Sequence, residues 1–152
     1  MAVFRLAPQD YHRFHFSVSG TLLSATPVPG HLYTVNPIAV NATDIFTVNK
    51  RTVCIIKSPI FGKVAFVCIG ATLVGSIVLT AEVGKTFAKG DEMGYFAFGG
   101  STTIALFQGG RVAYDEDLLK HSNQSLETLV KMGTQLGVSR STDDVPPTSN
   151  KV

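Results

Sequence analysis

The chain has 152 residues, 45% of them hydrophobic and 16% charged, which is enough for one domain with a core of its own and too apolar for wholesale disorder. Thirteen basic and eleven acidic residues leave a net charge of +2 with no Lys or Arg run, so a nucleic-acid footprint is not supported. Cys54 and Cys68 each sit in an apolar stretch and read as reduced core thiols, which excludes a Cys-rich zinc site and a disulfide knot.

Met1–Leu6 carries no apolar segment followed by a small-residue cleavage site, so no secretory signal is expected and the protein is expected inside the cell. The sequons at Asn41 and Asn123 then read as chance matches. Strand-like runs follow at Gly20–Ser24, Leu32–Thr34, Ile45–Asn49, Val53–Lys57, Val64–Ile69, Val74–Thr80, Tyr95–Phe98 and Thr103–Phe107. Turn signals separate them: Pro27-Val28-Pro29-Gly30, Asn36-Pro37, Asn49-Lys50-Arg51, Gly62-Lys63, Lys89-Gly90-Asp91 and Gly109-Gly110. The uncharged run from Val64 to Ala81 is long enough to suggest a transmembrane helix. Its β-branched residues and its breaks at Gly70 and Gly75 argue instead for two strands, apolar on both faces. Helical signal is confined to Asp115–Lys120, and residues 138–152 read as a disordered tail. Many short strands at this spacing predict an all-β, mainly antiparallel barrel or sandwich with one short helix.

Three local motifs carry chemistry. Gly84-Lys85-Thr86 suggests a phosphate loop, but the position that such a loop needs as its first Gly is Leu79. His12 and His15 stand three apart in Asp10-Tyr11-His12-Arg13-Phe14-His15. A metal site would need a third matching ligand, and His31 and His121 sit in unremarkable surroundings, so no metal is assigned; ordinary histidines and proton transfer remain the two readings. In Phe96-Ala97-Phe98-Gly99-Gly100-Ser101-Thr102, the glycines would ordinarily mark a turn or bulge. A Gly–Ser peptide can also be strained without a Cβ clash, so that the hydroxyl attacks the preceding carbonyl, forming an ester that elimination resolves into a cut chain. Phe96 and Phe98 share one strand face and are either walls of a pocket or core phenylalanines.

Taken in order, Arg5-Leu6-Ala7-Pro8-Gln9-Asp10-Tyr11-His12-Arg13-Phe14-His15, Tyr33-Thr34-Val35-Asn36-Pro37, Phe61-Gly62, Val74-Gly75-Ser76-Ile77, Lys89-Gly90-Asp91-Glu92-Met93-Gly94 and Phe98-Gly99-Gly100-Ser101-Thr102 resemble the phosphatidylserine decarboxylase family, in particular its eukaryotic, fungal-type branch. The resemblance runs from Arg5 to about Gly137 and defines residues 1–137 as the expected catalytic domain, with a lipoyl-like barrel.

The resemblance implies a pyruvoyl enzyme, a zymogen that cuts itself between Gly100 and Ser101 so that Ser101 becomes the pyruvoyl cofactor. By the same resemblance His15 acts with an upstream Asp to activate Ser101, and His12 serves decarboxylation; Tyr11 joins Phe96 and Phe98 as a candidate pocket residue. The pyruvoyl ketone would form a Schiff base with phosphatidylserine, converting it to phosphatidylethanolamine and carbon dioxide. A free aromatic amino acid is the alternative substrate, and an unprocessed, inactive fragment the third reading. Family members reach a membrane surface through a docking segment, and a homodimer is a further expected partner. The family pattern places that segment and the Asp upstream of the motif, whereas Met1 stands only nine residues before Asp10. It also usually has Pro where Ser17 stands. The chain therefore reads as N-terminally truncated and is expected to mature slowly or not at all, because a His without its orienting carboxylate loses tautomer control.

Overall fold

A computed structural model of the chain describes residues 1–72, 76–97 and 101–140. In chain order the elements are β1 (Ala2–Leu6), β2 (Arg13–His15), β3 (Gly20–Val28), α1 (Pro37–Ala42), α2 (Ile45–Val48), β4 (Arg51–Ser58), β5 (Gly62–Ile69), β6 (Ser76–Leu79), β7 (Thr86–Phe87), β8 (Glu92–Ala97), β9 (Ser101–Leu106), β10 (Val112–Tyr114), α3 (Glu116–Asn123) and β11 (Gly137–Ser139). They fall into two compact units, Met1–Leu106 and Phe107–Val152.

The first unit holds a six-stranded sheet in the order β1-β9-β5-β4-β3-β7 and a three-stranded sheet in the order β2-β8-β6. Every paired strand in both is antiparallel, and the larger sheet curls as half of a barrel, as the strand pattern predicts. The β4–β5 hairpin is its longest unbroken ladder, running from Arg51 opposite Ile69 to Ser58 opposite Gly62. The hairpin turns through Gly62 at φ 70°, a conformation open to a residue without Cβ, and Ser58 Oγ accepts from the amides of Ile60 and Phe61. On the inward face lie Cys54 and Ile56 of β4 with Val64, Phe66 and Cys68 of β5; Val53, Ile55, Ala65 and Val67 on the other face are half-buried. The run at Val64–Ala81 is thus β5, with one face better covered than the other, and β6, where Ile77, Val78 and Leu79 are all half-buried; Leu73–Gly75 lie outside the described residues.

Two expected strands take other forms. Leu32–Thr34 is a loop whose backbone is bound by side chains: Asn49 Oδ1 accepts from the Tyr33 amide at 3.1 Å and Asn49 Nδ2 donates to the Tyr33 carbonyl at 2.8 Å. Those bonds replace a ladder. Ile45–Asn49 is not extended either. Residues 45–48 form the single turn α2, where Ile45 packs with Val35 and Ala71 against Ala39, Val40 and Phe46. Burial of this small cluster overrides the β-propensity of Ile45, Thr47 and Val48. Asn36-Pro37, read as a turn, opens α1: Pro37 occupies the first turn, where its missing N–H costs nothing, and Asn36 Oδ1 accepts from the Ile38 amide at 3.0 Å.

The second unit pairs β10 with β11 in an antiparallel ribbon, from Val112 opposite Ser139 to Tyr114 opposite Gly137. The predicted helix is present as α3. Glu116 and Asp117 in its first turn and Lys120 and His121 in its last suit the helix dipole. Asp115 stands at its N-cap, but its carboxylate accepts from Gln135 Nε2 rather than from the helix amides. Val138 and Ser139, where the tail was expected to start, belong to β11; residues 141–152 lie outside the described residues.

Candidate active site

Ser101 is the first residue of β9, directly opposite Leu6 of β1, and is fully buried. Its Oγ has no hydrogen-bond partner among the described residues. A hydroxyl buried in this way forfeits its water hydrogen bonds, at a cost of about 1–3 kcal/mol. Thr102 follows, also fully buried with an unpartnered hydroxyl, and strand alternation sends it to the opposite sheet face. Phe98, Gly99 and Gly100, which precede the serine, lie outside the described residues.

The His12 backbone carbonyl accepts from the Phe96 amide at 3.0 Å, whereas His15 lies opposite Glu92, beyond an irregularity in the β2–β8 register after Phe14. The two imidazoles are therefore set at opposite ends of the β2–β8 pair. His12 Nδ1 stands 2.6 Å from the Asp10 carbonyl. A carbonyl only accepts, so Nδ1 is the protonated nitrogen, and Nε2 of neutral His12 carries the lone pair. The Asp10 carbonyl is held by a turn in which the Asp10 amide donates to the Ala7 carbonyl and the Ala7 amide donates to Asp10 Oδ2.

His15 is gripped from both sides. Nδ1 lies 2.8 Å from the Gly90 carbonyl and Nε2 lies 2.8 Å from the Tyr11 hydroxyl, whose ring stacks on the imidazole at 5.7 Å between centroids. The Gly90 carbonyl belongs to the Ala88–Asp91 turn, where Gly90 has φ +94° and Asp91 Oδ2 accepts from the Ala88 amide. That turn is tied to the segment after β2 by bonds from the Gly90 amide to the Phe16 carbonyl and from the Phe16 amide to the Asp91 carbonyl, each 2.9 Å. The sequence reading found the Lys89-Gly90-Asp91 turn but gave it no role beside an imidazole; nothing in its composition signals which carbonyl faces a ring.

Phe96 is buried with its ring edge-on to Phe14 at 5.0 Å, and Phe14 in turn lies 6.0 Å from Phe66. Of the two readings for Phe96, the described contacts are those of a core phenylalanine. Tyr11 is half exposed and touches His15. Unforeseen from sequence is the clamp beside β2, where Arg13 pairs with Glu92 at 2.7 Å and lies over the Tyr95 ring, while Thr80 donates to the other Glu92 oxygen. Arg13 and Glu92 stand in two different motifs 79 residues apart, and nothing within either motif signals that they pair.

The thiols of Cys54 and Cys68 remain free, and burial pushes Cys54 up to about 11 and Cys68 well above its ordinary value. Both stay protonated and unreactive near neutral pH. Among the described residues, no three His, Cys, Asp or Glu side chains converge as a metal site, and no helix is long and apolar enough to cross a membrane.

An antiparallel β-protein that carries a buried, unpartnered serine hydroxyl just after a Gly pair, with two histidines positioned by backbone carbonyls, has parts suited to acyl transfer within its own chain. The phosphatidylserine decarboxylase family matches residues 1–138, and the chain belongs to that family. It is 58% identical over 97% of its length to phosphatidylserine decarboxylase proenzyme 2 of Oryza sativa subsp. japonica, of which it covers 24%. It is 50% identical over 90% of its length to proenzyme 3 of Schizosaccharomyces pombe and 48% identical over the same share to the proenzyme of Chlamydia trachomatis, covering 14% and 46% of those proteins. The chain thus spans less than half the length of these relatives.

Proposed function

We propose that residues 1–137 are the catalytic domain of a self-cleaving decarboxylase that acts on phosphatidylserine, with Ser101 as the processing nucleophile. The observation that carries this is the fully buried Ser101 Oγ without a hydrogen-bond partner among the described residues, next in the chain to Gly100. In this reading Oγ gives its proton to an imidazole and attacks the Gly100 carbonyl carbon. The C–N bond of that peptide breaks as its nitrogen takes up a proton, which leaves an ester between Gly100 and Ser101. Loss of the Ser101 α-proton then expels the Gly100 carboxylate from Cβ, and the chain is in two pieces. Water converts the remaining unsaturated amine into the ketone of a pyruvoyl group, with release of ammonia.

Ser101 suits this fate because burial keeps bulk water from the ester and no hydrogen bond from the described residues holds the hydroxyl. When formed, a pyruvoyl group supplies a carbonyl that accepts the electron pair left by departing carbon dioxide. The residues of this chain would do the rest. His15 takes the Ser101 proton during processing, and His12, as the imidazolium with Nδ1–H on the Asp10 carbonyl, gives its Nε2 proton to the substrate carbon and is left neutral. Phe98 and Tyr11 are proposed to flank the substrate, while Phe96 packs against Phe14 in the core. The family name and the proenzyme names of the relatives support phosphatidylserine as substrate.

The test is intact mass measured under denaturing conditions, followed by carbon dioxide release. Cleavage into residues 1–100 and 101–152, lost in Ser101→Ala, is the expected result. Release of carbon dioxide from phosphatidylserine vesicles but not from free phenylalanine or tyrosine supports the lipid substrate. An Ala variant still cut at the same bond would remove Ser101 as nucleophile.

A further inference from the structure

The connection between β3 and β4 is apolar on both of its sides. β3 ends at Val28 opposite Arg51, where β4 begins, so residues 29–50 lie at one end of the six-stranded sheet. The inner side chains Val35 and Ile45 are buried with Ala71. The outer ones face solvent: Ile38 is 82% and Tyr33 52% exposed, and Leu32 and Val48 are exposed as well. From Leu32 to Val48 the one charged side chain is Asp44, and two cations, Lys50 and Arg51, follow. The backbone that carries these side chains is pinned. Asn49 bonds to Tyr33 and to the Gly70 carbonyl, Thr72 donates to the Leu32 carbonyl at 3.1 Å, and the His31 ring stacks on Tyr33 at 4.9 Å. An ordered set of aliphatic side chains and a tyrosine, with cations behind it, has the composition of a segment that lies in the interfacial layer of a bilayer.

The sheet offers two ends, and Ser101 chooses between them. Ile69 stands opposite both Arg51 and Thr102, so Ser101 lies at the end that carries residues 29–50. At the other end the β4–β5 hairpin exposes Ile60, at 58%, beside the paired lysines Lys57 and Lys63. The ladder between the two ends, Arg51 to Ser58, is about 23 Å long at the usual strand rise. Phosphatidylserine is anionic and keeps its acyl chains in a bilayer, because each CH₂ drawn into water costs about 0.8 kcal/mol. A site that acts on its headgroup must come down on the bilayer with the nearer end. We infer that the outer side chains of residues 32–48, Ile38 foremost, enter an anionic lipid surface and set the Ser101 end of the sheet against it. This rests on the reading of phosphatidylserine as the substrate. The segment takes no part in the chemistry; it supplies the contact that brings the headgroup within reach.

The experiment encodes an environment-sensitive fluorescent amino acid at position 38 or, separately, at position 60, in this chain and in the longest natural form of the protein that contains it. Vesicles of phosphatidylcholine mixed with phosphatidylserine are then added. Emission at position 38 is expected to shift to the blue and rise a few-fold, while position 60 stays unchanged. Ile38→Glu is expected to weaken vesicle binding about ten-fold, with the urea midpoint unmoved because the side chain is exposed in the fold. Insertion at position 60 instead of 38, or unaltered binding by Ile38→Glu, overturns the proposal. So does a label at 38 that is already shielded without vesicles, whether by a second copy as concentration rises or by another part of the longest form. Insertion requires no cleavage of the chain. Insertion at 38 without carbon dioxide release is a failure of the proposed function alone, whereas carbon dioxide release from the vesicles without insertion at 38 sinks the lipid surface and leaves the proposed function standing.

Discussion

At Ser101 the structure accepts a local loss that a purely structural serine would not need. Alanine at this site removes an unpartnered hydroxyl from a fully buried position, so Ser101→Ala is expected to be as stable as the parent chain or up to about 1–2 kcal/mol more so, while abolishing cleavage. Urea denaturation beside intact mass reads both effects, and a strongly destabilised Ala variant would mean that the hydroxyl is structural. The two histidines should separate as well. His15→Ala is expected to block or greatly slow cleavage, whereas His12→Ala should cleave and then decarboxylate poorly; equal loss of cleavage in both would end the division of labour. The buried thiols predict a pH effect. Cys54 titrates near 11 when folded against 9.0 for a free thiol, so between those values the unfolded chain has lost a proton that the folded chain keeps. Stability therefore falls as pH rises above about 9, by about 1.4 kcal/mol per unit for that thiol alone, and Cys68, raised by burial and by its neighbour Cys54, adds to the slope. Thermal melts from pH 8 to 11 check this, with Cys54→Ala expected to flatten the curve.

Among the elements, the loop at Leu32–Thr34 shows how one buried polar side chain can organise backbone that has no ladder. Asn49 is fully buried, and besides its two bonds to Tyr33 it donates to the Gly70 carbonyl at 2.9 Å. Asn49→Ala would leave the buried Gly70 carbonyl and the part-buried Tyr33 amide and carbonyl without those partners, so a loss of about 2–4 kcal/mol is expected. A urea midpoint within error of the parent would show that water replaces Asn49 there. The β2–β8–β6 sheet depends on a close approach instead. A Cβ on Gly94 would clash with the Val78 carbonyl and would stand 2.8 Å from the Phe14 ring. That glycine admits the Phe14 ring, which packs on Phe66 and Phe96.

For the whole molecule, the position of β9 decides what cleavage leaves behind. A cut before Ser101 assigns β9 to the shorter piece, yet β9 lies inside the six-stranded sheet, paired with β1 on one side and β5 on the other. Removing it would expose two strand edges and uncover Ile104 and Ala105, both buried. The pieces are therefore expected to stay together after cleavage. Co-elution on gel filtration in native buffer, with separation only in denaturant, is the expected result; two species in native buffer would show that β9 is dispensable to the sheet.

Much of this was legible in the chain itself. The strands at Gly20, Val53, Val64 and Thr103 follow from β-branched runs bounded by turn residues, because alternation and turn chemistry act over a few positions. The family motifs likewise drew attention to His12, His15 and Ser101. Ile45–Val48 and Leu32–Thr34 were misread because their conformation is set by a distant partner, Ala71 for the first and Asn49 for the second, and propensity does not register distant partners. The same limit hid the Gly90 carbonyl from His15. The amino-acid sequence by itself determined the all-β class, the family and the candidate chemistry, which depend on residue type and short-range order. Tertiary structure alone decided that Ser101 Oγ is buried without a partner among the described residues, that His15 is held between the Gly90 carbonyl and the Tyr11 hydroxyl, and that β9 is central. Each of those follows from which strands pair, and pairing brings together residues whose separation in the chain carries no local signal.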